Sequence, residues 1–162
     1  MLKRKVTLKT MKIPVKQVLI LLITIALCIS LSACKKPGAI NDAEIDYGNS
    51  VKFDETEIKS AADVALEHFR DNFHNCELKK IWYDEEMSNN MVESYLTYGP
   101  GAFGHGIKKV EPENVIAFLF DFYVEPYGAE PCFSPDTMNN GWNLILVRDS
   151  RTGIWRFADG GG

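Results

Sequence analysis

The sequence predicts an α+β domain: an N-terminal helix packed on a curved antiparallel sheet, preceded by a lipoprotein signal peptide. Three observations predict it. Phe53 to Phe73 carries apolar residues at helical spacing. Beyond that segment, runs rich in β-branched and aromatic residues alternate with Gly, Asn, Asp and Pro clusters. Ahead of it, a basic stretch, an apolar run and a pair of small residues lead to a cysteine.

The N-terminal signal comes first. Lys3, Arg4, Lys5, Lys9, Lys12 and Lys16 make the basic region, and Val18 to Leu31 is apolar apart from Thr24 and Ser30. Leu31-Ser32-Ala33-Cys34 follows. That order predicts cleavage before Cys34 and lipidation of its sulfur. An acylated sulfur and a second chain on the freed amine meet the two-signal requirement for stable anchoring. The apolar run is shorter than the roughly 20 residues of a spanning helix. Met11 opens a signal of more usual length than Met1 does. The chain therefore divides into a signal at 1–33, a lipidated cysteine and flexible tether at 34–50, and a single domain at 51–162. Its expected place is the extracytoplasmic face of the cell membrane, with the membrane as a partner through Cys34.

Charge narrows the other partners. All six charges of the signal are basic, which leaves twelve Lys and Arg against 22 Asp and Glu, a formal charge of −10 for the mature chain. Such a balance argues against nucleic acid and against a polybasic grip on anionic lipid. It suits a solvated domain in the cell envelope.

The helix begins where Asp54 can cap, with Glu57 three residues on and Phe53 placed to pack on Ile58. Ile58, Ala62, Ala65, Leu66, Phe69 and Phe73 form its apolar stripe; Asp63, Glu67 and Asp71 lie opposite. Leu78 to Tyr83 predicts a strand closed by the charged turn Asp84-Glu85-Glu86. Met91, Val92, Tyr95 and Leu96 predict a short second helix, stopped at Gly99-Pro100-Gly101. Val115 to Val124 predicts a central strand. Glu125 to Gly141 predicts a loop, and Trp142–Arg148 with Ile154–Ala158 a hairpin turning at Gly153. Phe118, Phe120, Phe122, Trp142 and Trp155 supply the shared core.

Three strings carry a family resemblance: Cys76 to Glu86, with its Trp82-Tyr83-Asp84-Glu85-Glu86; Phe120-Asp121-Phe122; and Gly141 to Arg148 followed by Gly153-Ile154-Trp155-Arg156. The chain resembles a family of small Gram-positive lipoproteins designated domain of unknown function 4829. Its pattern is also similar to the cone-shaped folds of nuclear transport factor 2 and cystatin. It departs from the family at Leu144, where a second Trp is usual, and at its Asp159-Gly160-Gly161-Gly162 end. The resemblance implies location and fold, with a helix on the concave face of the sheet, and carries no activity.

Among individual residues, Cys76 and Cys132 are open to two readings: a disulfide, which the compartment permits, or two separate buried thiols. Nothing around either one suggests an activated thiolate. His68, His74 and His105 lack metal-ligand spacing. Asp84-Glu85-Glu86 lacks the loop pattern of a calcium site. No cofactor is expected, and Gly99 to Gly106 lacks the ending of a phosphate loop. Asp121 interrupts an apolar strand on the face of Ala117, Leu119 and Tyr123. In an apolar pocket such a carboxyl rises in pKa and serves as a base, and some cone-shaped enzymes use one. The alternative, which the sequence favours, is that this face is partly solvent-exposed or that Asp121 makes a cross-strand ion pair with Arg148 or Arg156. The leading functional expectation is a non-enzymatic domain that binds a ligand or envelope partner. Its rivals are an isomerase- or hydrolase-like pocket using Asp121 with Tyr123 or His105, and a purely structural envelope protein.

Overall fold

The computed structural model describes residues 36–99, 110–127 and 132–161. The signal, Cys34 and His105 lie outside them. The elements in order are β1 (Glu44–Asp46), α1 (Glu55–Asn72), β2 (Cys76–Trp82), α2 (Glu85–Tyr98), a 3-10 turn (Pro112–Asn114), β3 (Val115–Val124), β4 (Thr137–Arg148) and β5 (Trp155–Gly161). The strands form one five-stranded sheet in the order β1-β2-β3-β4-β5.

The predicted α1 forms for the predicted reason. Asp54 Oδ1 accepts from the Glu57 amide at 2.8 Å, and Glu57 Oε2 accepts from the Asp54 amide at 3.1 Å. This reciprocal pair satisfies two amides that the helix start leaves without carbonyl partners. Phe53 and Ile58 are buried in the same cluster. Ala61, Ala62 and Ala65 are fully buried and let the helix lie close to the sheet. At the other end, the Phe73 amide bonds to Phe69 O at 2.9 Å, and Asn75 turns the chain at a φ of 56°.

Four expectations need correction. Residues 36–50 are not a free tether. The Gly38 amide bonds to Arg70 O at 2.8 Å, the Ala39 amide to Cys76 O at 2.9 Å, and β1 pairs parallel to β2. The sheet is therefore mixed, with an antiparallel body and one parallel edge strand. Apolar periodicity is blind to β1, because three exposed residues held by backbone bonds leave no pattern. Second, Asp84-Glu85-Glu86 starts a helix and is not a closing turn. Asp84 caps α2 by accepting from the Met87 amide at 2.8 Å, and acids in a first turn suit the helix dipole. Third, β4 starts at Thr137, within the predicted loop. Fourth, β5 runs on to Gly161, where the glycines pair with Asn143 and Leu144.

Alternation along β3 sorts the core into two layers. Ile116, Phe118, Phe120, Phe122 and Val124 face α1, together with Leu78, Ile81, Leu144 and Leu146. Val115 and Ala117 face α2, where Val92, Tyr95 and Ile145 complete a smaller cluster. The two helices thus lie on opposite faces. The hairpin after Arg148 closes as predicted: Asp149 Oδ1 accepts from the amides of Arg151 and Thr152, and Gly153 adopts a φ of 73°.

Candidate functional site

The α1 face carries an unusual concentration of rings. Phe69 stacks on Phe73 at 4.6 Å between centroids and meets Phe120 and Phe122 edge-on. Phe133 extends the cluster outward, 5.1 Å from Phe122 and 5.2 Å from Trp142. Its outer end opens as a cleft of about 290 Å³, walled chiefly by His68, Phe73, Phe133, Trp142, Leu144 and Phe157. Asn72 and Cys132 supply the polar rim.

Each wall has a local cause. His68 and Asn72 come from the last turns of α1, where a spacing of four places them on one face, and Phe73 caps the end of that helix. Phe157 lies two residues from Trp155, so the strand repeat puts both rings on the α1 side. His68 stacks on Phe157 with centroids 3.8 Å apart and planes 13° apart. Burial lowers the His68 pKa, and Asp71 opposes the shift. The neutral imidazole is the form that matches an aromatic wall.

Asp121 stands elsewhere, on the other face. Its carboxylate accepts from the Gly141 amide at 2.8 Å. The pairing of β3 with β4 shifts between Phe120 and Phe122, and Gly141 has a φ of 68°. A second shift, between Leu78 and Lys80, lies on the opposite flank of Asp121. Bulges remove amides from the ladder, and the Asp121 carboxylate satisfies one of them. Arg148 lies on the α1 face, where its guanidinium bonds to Glu57, to Asn114 Oδ1 at 3.2 Å and to Glu113 O at 3.0 Å. Arg156 pairs with Val147, which pairs with Val115. That is six residues from Asp121 along β3, or about 20 Å. Neither predicted arginine partner is used. The Tyr123 hydroxyl donates to Asp136 at 2.6 Å and not to Asp121.

The thiols diverge as well. Cys76 is buried at the start of β2, and its Sγ donates to His74 O at 3.5 Å. Cys132 is exposed at the cleft rim, and no bond joins the two sulfurs. The strand repeat that turns Cys76 into the core also turns it from the rim. Among the described residues, no group of three or more His, Cys, Asp and Glu gathers as a metal site would require.

Two polar anchors escaped the sequence reading. The Glu85 carboxylate receives the Ser50 hydroxyl and the Val51 amide, the latter at 2.9 Å. Ser50, followed by the Lys52 and Val51 amides, holds the Glu85 pKa below its ordinary value. Arg148 joins the start of α1 to the end of β4, with its guanidinium 5.0 Å from the centre of the Trp155 ring. Both connect residues far apart in sequence, so no local pattern signals them. Phe157 was legible from its spacing to Trp155; Phe133 was hidden in a Pro-rich segment. No family model, no curated protein and no solved structure matches this chain.

Proposed function

We propose that the chain is a lipoprotein anchored through Cys34 at the extracytoplasmic face of the cell membrane. Its cone-shaped domain binds a ligand or partner of the envelope without catalysing a reaction, and the chain belongs with the lipoproteins it resembles. The anchor rests on the order of basic stretch, apolar run and Leu31-Ser32-Ala33-Cys34. The cone rests on α1 covering one sheet face and on the paired bulges beside Asp121, which bend strands.

One observation carries the binding reading: the aromatic cleft between α1 and the sheet. Ligand sites are typically concave, mostly apolar and edged by a few polar groups. Asp121 favours the same side of the question. Its carboxylate is engaged with a backbone amide at a bulge, so a structural duty accounts for it.

The test is thermal. The purified protein, held in a mild non-ionic detergent, is melted against fatty acids, cell-wall fragments, sugars and metal ions. A saturable rise in Tm with one class is expected, because a ligand that binds only the native state stabilises it. Asp121→Asn should leave that rise unchanged. A hydrolytic or isomerising activity abolished by Asp121→Asn, with Tm retained, would replace binding by catalysis.

A further inference from the structure

We infer that the aromatic cleft takes a hydrocarbon chain of a bilayer lipid, drawn from the membrane to which Cys34 is attached. The inference rests on the lipid anchor proposed above.

Its first support is the length of the link. Only Lys35 separates Cys34 from Lys36, so the covalent reach from one to the other is about 7 Å. Lys36 is already part of the fold. Its amide bonds to Asn75 Oδ1 at 3.3 Å, the Asn75 amide returns to Lys36 O at 2.9 Å, and its Nζ lies 3.3 Å from Glu125. Gly38 then passes so close to α1 that a Cβ would lie 2.7 Å from Phe69 O and 2.9 Å from Phe73 O. The chain leaving the anchor is held against the last turn of α1.

That same turn builds the cleft. Phe73 and Asn72 line it, with His68 one turn earlier. The end of the domain at which Lys36 enters the fold and the end carrying the cleft are therefore one end. Tyr127, 86% exposed, follows Glu125 there, and exposed aromatics of this kind favour the headgroup level of a bilayer.

The second support is chemical. The walls are aromatic or aliphatic, and among the described residues no Lys, Arg, Asp or Glu lines the cleft. An aromatic and aliphatic lining of this kind suits a hydrocarbon chain better than a headgroup. A mature chain of charge −10 likewise has no electrostatic grip on anionic lipid. A short link to the bilayer supplies what affinity need not: the effective concentration of acyl chains at the cleft mouth is set by the tether.

The experiment uses the full chain, processed in a bacterial host and reconstituted in phosphatidylcholine vesicles with acyl chains brominated near their middle. Radiolabelled palmitate reports the anchor at Cys34. Bromine quenches tryptophan only at short range, and Trp142 lines the cleft whereas Trp82 ends β2 at its far end. Quenching of the anchored protein is expected. Trp142→Phe should lose most of it and Trp82→Phe should keep it, each with an unchanged circular dichroism spectrum. No label at Cys34 overturns the anchor. Label at Cys34 without quenching, or quenching that Trp142→Phe leaves intact, overturns this inference alone. Quenching by a brominated free fatty acid in solution, but not by the vesicle lipid, places the source outside the bilayer and also overturns it.

Discussion

The two faces of the sheet are built to different standards. The α1 face holds Phe69, Phe118, Phe120 and Phe122 fully buried, with rings interlocked edge to face. The α2 face holds Val92, Tyr95, Val115, Ala117 and Ile145, none of them a phenylalanine. Its tie to the sheet is partly polar: the Ala117 amide donates to Ser88 Oγ at 3.0 Å. The buried Tyr95 hydroxyl has no hydrogen-bond partner among the described residues. Along β3 the α2-side residues pass from buried Ala117 and Leu119 to half-buried Asp121 and Tyr123. Asp121 stands where the cover of α2 gives out. One face stabilises the fold and opens a cleft at its end; the other is a thinner, partial layer.

The largest effect should come from cutting the thick face. Phe69→Ala removes a ring that touches three others and should cost about 3–5 kcal/mol in denaturant unfolding. Val92→Ala on the thin face removes two methyl groups and should cost about 1.5 kcal/mol. Equal losses would break the comparison.

A smaller effect, of opposite sign, sharpens it. Tyr95→Phe deletes a hydroxyl buried without a partner and should raise stability by about 1 kcal/mol. Destabilisation would show that the hydroxyl is bonded in solution and that the thin face is better satisfied than its geometry indicates.

The smallest effect concerns pH and the cleft. Burial lowers the His68 pKa from its ordinary 6.5, so folding favours the neutral ring. The stability tied to this shift is fully present above 6.5 and is lost as pH falls from there through the lowered folded value. His68→Gln should flatten that part of a stability–pH curve. An unchanged curve would detach His68 from the aromatic wall.

Much of this was legible because it is local. The cap at Asp54, the stripe from Ile58 to Phe73, the turn at Gly153 and the alternation of β3 depend on residues close in sequence, and their spacing reports them. The misses have a common cause. β1 and the glycine end of β5 are held by backbone bonds to neighbouring strands, which no side-chain pattern records. Asp84 looked like part of a turn because strand ends and helix caps use the same residues.

The candidate sites separate along the same line. The residue types of Asp121, Cys76 and Cys132 could be read, but not which face each would occupy or what would stand opposite. Asp121 is half-buried and accepts from a bulge amide, where the sequence left open a pocket, a partly exposed face or an arginine pair, and the two cysteines parted between core and rim. By itself the sequence determined the α+β class, the first helix, the central strand, the acidic balance of residues 34–162 and the expectation of an anchor at Cys34. Only the tertiary structure decided that α1 and α2 lie on opposite faces, that Arg148 meets Glu57, and that Phe133, Trp142 and Phe157 converge beside His68. The reason is physical. Spacing along a chain encodes which face a residue takes within its own element, whereas convergence depends on how elements twist, shift register and pack, which distant residues settle together.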